Sequence, residues 1–386
     1  MRFVLLVGLV SLFADTTYEG SRSIVGPYLG LLGATGTIVG LVAGAGELIG
    51  YGVRIVSGYL SDRSAQYWPI TFVGYTINLL AVPALALAGN WPLAATLIIL
   101  ERFGKGVRTP ARDAMLSHAT KEVGHGWGFG VHEAMDQIGA MLGPIVVAVV
   151  LFLGQGYPTG FAILLLPAVL ALAVLATARF LYPRPRELEP VSAPLETEGF
   201  PRAYWIYLAG VAFLAAGFAD FALISFHFGQ AGIVAPVLIP IFYAVAMGVD
   251  ALAALVFGRL FDRLGVAVLL VAVVVSFGFA PLVFLGDFTF ALIGSALWGV
   301  GLGAQESIMR AAVAGMVSPQ RRGSAFGVFN TGYGIVWFAG SAVMGVLYDV
   351  SLPALVAFSI AAQLLSIPWL VWTARILKGP SPREAT

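Results

Sequence analysis

Twelve apolar runs of about 20 residues or more recur along this chain, separated only by short polar, glycine or proline turns. A helix rises 1.5 Å per residue, so each run is long enough to cross a hydrocarbon layer about 30 Å thick. In lipid every backbone N–H and C=O must bond internally, which leaves the helix as the only conformation for such runs. They predict spans at 3–30, 36–61, 67–88, 92–117, 124–153, 160–181, 203–228, 233–261, 265–285, 289–316, 322–348 and 353–377. The expected fold class is an all-α integral membrane protein.

Composition agrees. Of 386 residues, 59% are hydrophobic and 11% charged, against about 25% charged in soluble domains. The net charge of +1 provides no basic footprint for nucleic acid. With no cysteine, disulfides, thiolate catalysis and cysteine-held metals are excluded. Gly33-Ala34-Thr35-Gly36 lacks the lysine of a phosphate-binding loop, and no cofactor is expected. Met1-Arg2 leads into a run that continues past Asp15, Glu19 and Arg22, which predicts a retained helix in place of a cleaved signal.

Basic residues predict the orientation. With the N-terminus in the cytoplasm, Arg63, Lys121, Arg184, Arg186, Arg202, Arg263, Arg321, Arg322, Lys378 and Arg383 all fall inside. The opposite turns, around Ala34, Asn90, Gln155, Gly229, Asp287 and Ser351, carry no lysine or arginine. A multi-pass protein of the cell membrane with both termini cytoplasmic follows. Residues 183–202 hold several charges and prolines and read as a cytoplasmic linker between an N-terminal bundle at 1–182 and a C-terminal bundle at 203–386.

The two halves echo each other. Phe13-Ala14-Asp15 matches Phe218-Ala219-Asp220, and the same offset places Arg22 on His227. Phe129-Gly130-Val131 matches Phe326-Gly327-Val328. Gly58-Tyr59-Leu60-Ser61-Asp62-Arg63 recurs as Gly258-Arg259-Leu260-Phe261-Asp262-Arg263 at the inner end of corresponding helices. This repeated Gly…Asp-Arg resembles the loop between helices 2 and 3 of the major facilitator superfamily and its echo between helices 8 and 9.

The resemblance implies two pseudo-symmetric six-helix bundles, a ligand site near the midplane lined by helices 1, 4, 7 and 10, and a monomer moving a small organic solute by alternating access. It also implies a gating role for Gly58, Asp62, Arg63, Gly258, Asp262 and Arg263. Small residues Gly36, Gly40 and Gly44, and Gly139 and Gly143, would let helices approach closely, and the resemblance places sliding seams there. Gly139-Ala140-Met141-Leu142-Gly143-Pro144 looks like the glycine–proline signature of exchangers and leans toward export, although Ile145-Val146-Val147 then departs from it.

Charges inside the apolar runs mark where function is expected, because one at mid-bilayer costs about 2.5–3.5 kcal/mol on insertion scales. Asp15, Glu19 and Arg22 share one face of the first span, at i, i+4 and i+7. Glu47 and Arg54 share a face of the second with Tyr51 between them. Arg102, Lys105, Arg108 and Arg112 form a basic stripe on the fourth, where Pro110 predicts a kink and Arg112-Asp113 a lock. Glu133 and Asp136 add acids to the fifth span. In the second half, Asp220 and His227 share a face, and Glu306 and Arg310 are spaced to pair within one helix.

Burial disfavours an ionised carboxyl and a neighbouring arginine favours it, a tension that lets protons come and go. Asp15, Glu19, Glu47, Glu133, Asp136 and Asp220 are the expected proton carriers. The basic stripe, with Arg22, would neutralise these acids or attract an anionic group. Divalent-metal transport through Asp15, Glu19, Asp220 and His227 is an alternative. A membrane-embedded metallo-hydrolase built on His132, Glu133 and Asp136 is another, short of a second histidine. A non-transporting receptor is a fourth reading.

Overall fold

The computed structural model describes residues 2–64, 66–119, 125–183, 199–317 and 322–378. Among them the chain is helical with no strand. The first helices are α1 (Arg2–Leu31), α2 (Gly36–Ser64), α3 (Tyr67–Ala84), α4 (Trp91–Ala119) and α5 (His125–Phe152). They are followed by α6 (Tyr157–Ile163), α7 (Leu165–Leu181), α8 (Arg202–Gly217), α9 (Phe221–Ala231) and α10 (Ile239–Leu264). The last are α11 (Val268–Ser276), α12 (Phe279–Leu285), α13 (Phe288–Met316), α14 (Arg322–Val350) and α15 (Leu352–Lys378).

Lipid is the solvent these helices are built for. On α7, Ala168, Ala171 and Leu175 are buried while Leu165, Leu166 and Val169 point outward. Both faces are apolar, which water would penalise and acyl chains do not. Among the described residues, ten helical segments are long and apolar enough to cross a membrane, against the twelve expected. The difference has two physical sources. Helix α4 fails on charge, since Glu101, Arg102, Lys105, Arg108, Arg112 and Asp113 all lie in it. The segment Ile239–Leu285, counted once, is 47 residues long. As one helix it would extend about 70 Å, more than twice the hydrocarbon thickness. It turns instead at Gly265, whose φ is 59°.

Two compact units are present. The first comprises Met1–Ser192 with Phe221–Ala244, the second Ala193–Asp220 with Val245–Thr386. In the first, α1 is the central helix and packs on α3, α4, α5, α7 and α9. Val4, Val7, Val10 and Ala14 of α1 share a core with Tyr75 and Leu79 of α3, Met115 and Leu116 of α4 and Leu175 of α7. The tightest seam is α1 against α5. A Cβ on Gly143 would collide with the Thr16 carbonyl oxygen and fall 3.0 Å from Gly20 Cα, so only glycine permits this backbone approach. Gly139 meets α1 the same way at Leu12. These two glycines therefore close a seam inside one unit.

In the second unit α8 packs on α14 and α15, and α13 packs on α11, α12 and α14. Tyr204 donates to the Ala325 carbonyl at 2.8 Å, tying α8 to α14.

The seventh expected span, 203–228, is not one continuous helix. It breaks after Gly217 into α8 and α9, with Phe218 extended at φ −95° and ψ 110°. The orphaned carbonyls are taken by side chains. Gly217 O accepts from Ser359 Oγ at 2.6 Å and Gln363 Nε2 at 3.3 Å, and Ala219 O accepts from Trp298 Nε1 at 2.8 Å. The single helical face expected to carry both Asp220 and His227 is therefore interrupted.

Helix α4, by contrast, runs unbroken through Pro110. Proline has no N–H for the carbonyl four residues back. Ser57 of α2 supplies the missing donor, its Oγ lying 3.0 Å from Gly106 O.

Candidate functional site

The charged groups of the first unit converge where α1, α2 and α4 meet. Helix α1 presents Asp15, Tyr18, Glu19 and Arg22 within two turns, and α4 presents Glu101, Arg102, Lys105 and Arg108 opposite. Close packing brings the two sets within reach. A Cβ on Gly74 of α3 would fall 2.7 Å from Arg108 Cβ, so glycine there lets α4 settle directly on α3.

Glu47 of α2 sits between two cations. Its Oε1 is 3.0 Å from Arg102 Nη1 and 3.8 Å from Arg22 Nη2. Tyr18 holds the same pair a second time, its hydroxyl accepting from Arg22 Nη1 at 3.4 Å and from Arg102 Nη1. Lys105 Nζ stands 3.6 Å from the centroid of the Tyr18 ring and Arg102 Cζ 4.8 Å from it. The ring's negative face offsets part of the repulsion among these cations.

The flanking acids are anchored elsewhere. Glu101 Oε1 accepts from Asn78 Nδ2 at 2.6 Å, while its Oε2 lies 3.5 Å from Arg102 Nε. Glu19 accepts from the Tyr243 hydroxyl of α10. Below this cluster Arg108, 1% exposed, lies 4.0 Å from Asp15 Oδ1 and stacks on Tyr75 with its Cζ 4.3 Å from the ring centroid. A second group lies further along. Arg112 Nη2 is 2.8 Å from Asp113 Oδ1, Arg112 Nη1 is 3.4 Å from Ser11 Oγ, and His132 Nε2 is 3.5 Å from Ser11 Oγ and 3.7 Å from Asp136 Oδ2.

The expected site residues thus divide. Asp15, Glu19, Arg22, Glu47, Arg102 and Arg108 come together, and Arg112 and Asp136 join at Ser11 and His132. Arg54 lies over Tyr51 of its own helix at 4.8 Å. Glu133 is exposed and accepts from Gln137 Nε2 at 3.4 Å. Asp220 and His227 are buried. Glu306 is exposed, and the side chain of its expected partner Arg310 lies outside the described residues. In the repeated motif, Arg63 is exposed and donates to Tyr59 Oη at 3.0 Å. Asp262 and Arg263 are exposed, and the side chain of Asp62 lies outside the described residues. A Cβ on Gly58 would lie 3.5 Å from Pro110 Cβ of α4, whereas one on Gly258 would meet nothing within 4 Å. Among the described residues no three His, Asp or Glu side chains are grouped to hold a metal ion.

Sequence reasoning left out Glu101, Asn78, Tyr75 and Tyr243 as site residues. Glu101 was visible as a charge beside Arg102. Asn78 is an isolated amide in an apolar run, which lipid penalises unless it is bonded. Tyr243 carries no such signal, because only folding brings it to Glu19.

Comparison with known proteins agrees with this architecture. The sequence pattern of the Major Facilitator Superfamily matches residues 5–341 and again 241–384. An uncharacterised protein of Mycobacterium tuberculosis is 43% identical over 373 residues, covering 95% of this chain and 91% of that protein. An uncharacterised MFS-type transporter of Methanocaldococcus jannaschii is 26% identical over 90% of this chain and 89% of its own. The fold is similar to the nucleoside transporter NupG, with TM-score 0.73 at 15% identity over 96% of this chain and 99% of that one. It is also similar to a bacterial homologue of the lysosomal transporter Spinster, with TM-score 0.70 at 14% identity over 97% and 95%. With its apolar helices and its paired charges buried among them, the chain belongs to the Major Facilitator Superfamily and is a multi-pass membrane transporter of a small-molecule substrate, not an enzyme.

Proposed function

We propose that the chain moves a small organic solute by alternating access and couples that movement to protons. It works as a monomer in the cell membrane with both termini cytoplasmic. Export in exchange for protons, toward which the Gly139–Pro144 run leans, is the first direction to test. One observation carries the coupling. Glu47 holds Arg22 of α1 and Arg102 of α4 at a single oxygen, and all three side chains keep 10–15% of their surface exposed. Neutralising that carboxyl releases two helices at once, so one proton biases their packing. Asp15 at Arg108, Glu19 at Tyr243, Asp136 at His132, and Glu133 and Asp220 are further carriers. Gly58, Asp62, Arg63 and their counterparts Gly258, Asp262 and Arg263 gate the inner ends of the helices.

The test uses proteoliposomes loaded with a pH-sensitive dye and challenged with a solute panel. E47Q, D15N, E19Q, E133Q, D136N and D220N are compared with the parent protein. Loss of solute-dependent proton movement is expected in E47Q first. Full coupling retained in every amide variant would exclude the proposal, and the sign of the pH change reads the direction.

A further inference from the structure

We infer that the transported solute carries an oxyanion, and that Arg22 and Arg102, held side by side by Tyr18, receive it in the position Glu47 occupies. The inference rests on the transport reading above and names its substrate class.

The geometry is that of a seat with its own placeholder. Two guanidinium groups from different helices meet at Glu47 Oε1, at 3.8 and 3.0 Å, and meet again at the Tyr18 hydroxyl. Like charges separate unless something holds them. The second tether keeps both cations together when the Glu47 carboxylate leaves. Lys105, 3.6 Å above the Tyr18 ring, adds a third positive charge without taking that position. Guanidinium forks match carboxylate, phosphate and sulfate oxygens through paired N–H donors.

The neighbouring acids are not equivalent. Glu101 is bound to Asn78 of α3 and Glu19 to Tyr243 of α10. Glu47 is the acid that both guanidinium groups share, so its departure is the one that opens the seat. The seat is also reachable. Side-chain exposure is 12% for Arg22 and 10% for Arg102, against 1% for Arg108, which is sealed against Tyr75.

The entering anion and the Glu47 carboxylate compete for the same two guanidinium groups. The displaced carboxylate loses both of these counter-charges, and a proton on it removes the cost of burying it as an anion. Arg22 of α1 and Arg102 of α4 meet Glu47, with Glu19 of α1 and Glu101, Lys105 and Arg108 of α4 around them, while Arg54 of its own helix lies over Tyr51. Helix α9, also packed on α2, brings His227, and α3 brings no charged side chain. Proton and anion then travel in the same direction, so for an anionic solute the liposome assay reads co-movement in place of the exchange named above as the first direction to test.

The test is thermal unfolding of the purified full-length protein with sodium sulfate, phosphate or acetate, against sodium chloride at equal ionic strength. E47Q is expected to be stabilised by sulfate at neutral pH, and the parent protein only on acidification. Adding R102Q to E47Q should weaken sulfate binding about tenfold or more. Y18F should weaken it as well while keeping the ring beneath Lys105. The phosphate and acetate arms separate a phosphoryl group from a carboxylate. The inference is overturned if E47Q responds to sulfate no more than to chloride, or if E47Q with R102Q keeps the whole response. Should E47Q not fold, the acidified parent protein decides, and a response equal to chloride overturns it. A flat anion response beside intact proton-coupled flux removes the seat alone; a flat response beside absent coupling removes the transport reading too.

Discussion

Ser57 and Pro110 do not touch through a hydrogen bond, yet one explains the other. Ser57 Oγ donates at 3.0 Å to Gly106 O, the carbonyl that Pro110 cannot serve. Ser57→Ala should cost about 1–2 kcal/mol, since it strands a buried acceptor. Pro110→Ala restores the intrahelical donor, so S57A in that background should cost much less. Thermal unfolding of the four proteins gives the coupling, and additive effects would refute the link.

The α1–α5 seam makes a second prediction. Gly143→Ala pushes a Cβ into the Thr16 carbonyl and should destabilise by about 2 kcal/mol or more, because backbone cannot yield as a side chain can. Gly52, also within a helix, has nothing within 4 Å of an added Cβ. Gly52→Ala should be neutral or stabilise by up to about 1 kcal/mol through helix propensity. Unfolding midpoints in one detergent compare the two.

Asp15, partly buried, lies 4.0 Å from Arg108, which is almost fully enclosed. Asp15→Asn leaves that guanidinium without its counter-charge and should cost about 3 kcal/mol. Removing both charges with D15N and R108Q together should cost less than the sum of the single changes. A double-mutant cycle on unfolding free energy measures this.

Asp287 caps α13, its Oδ1 accepting from Thr289 N at 3.0 Å and Phe290 N at 3.1 Å. Asp287→Ala should cost about 1 kcal/mol, and Asp287→Ser or Asn should recover most of it. Hydrogen exchange at the first turn of α13 reports the loss locally.

The crossing helices are legible in sequence because lipid imposes one rule on every span, and long apolar runs obey it. The exceptions are equally physical. Helix α4, expected at 92–117, carries more charges than an isolated span could hold in lipid, and its partners on α1, α2 and α3 make it tolerable. The break after Gly217 has no proline to announce it, and depends on Ser359, Gln363 and Trp298 from distant helices. At the site, helical spacing placed Asp15, Glu19 and Arg22 on one face and Arg102 and Arg108 on another. Which acid meets which base was not legible, because that depends on how α1, α2 and α4 rotate against one another. Tyr18 gained its role as the shared acceptor of Arg22 and Arg102 only through that rotation.

The interruption between α8 and α9 has a bearing on biogenesis. Its exposed carbonyl at Gly217 waits for Ser359 and Gln363, made 142 and 146 residues later. A nascent chain halted before α15 emerges would hold the α8–α9 segment with an unmet acceptor in lipid. Helix α15, made later, is therefore the one that locks the α8–α9 break, and truncation ahead of it should leave that segment open to quality-control proteolysis.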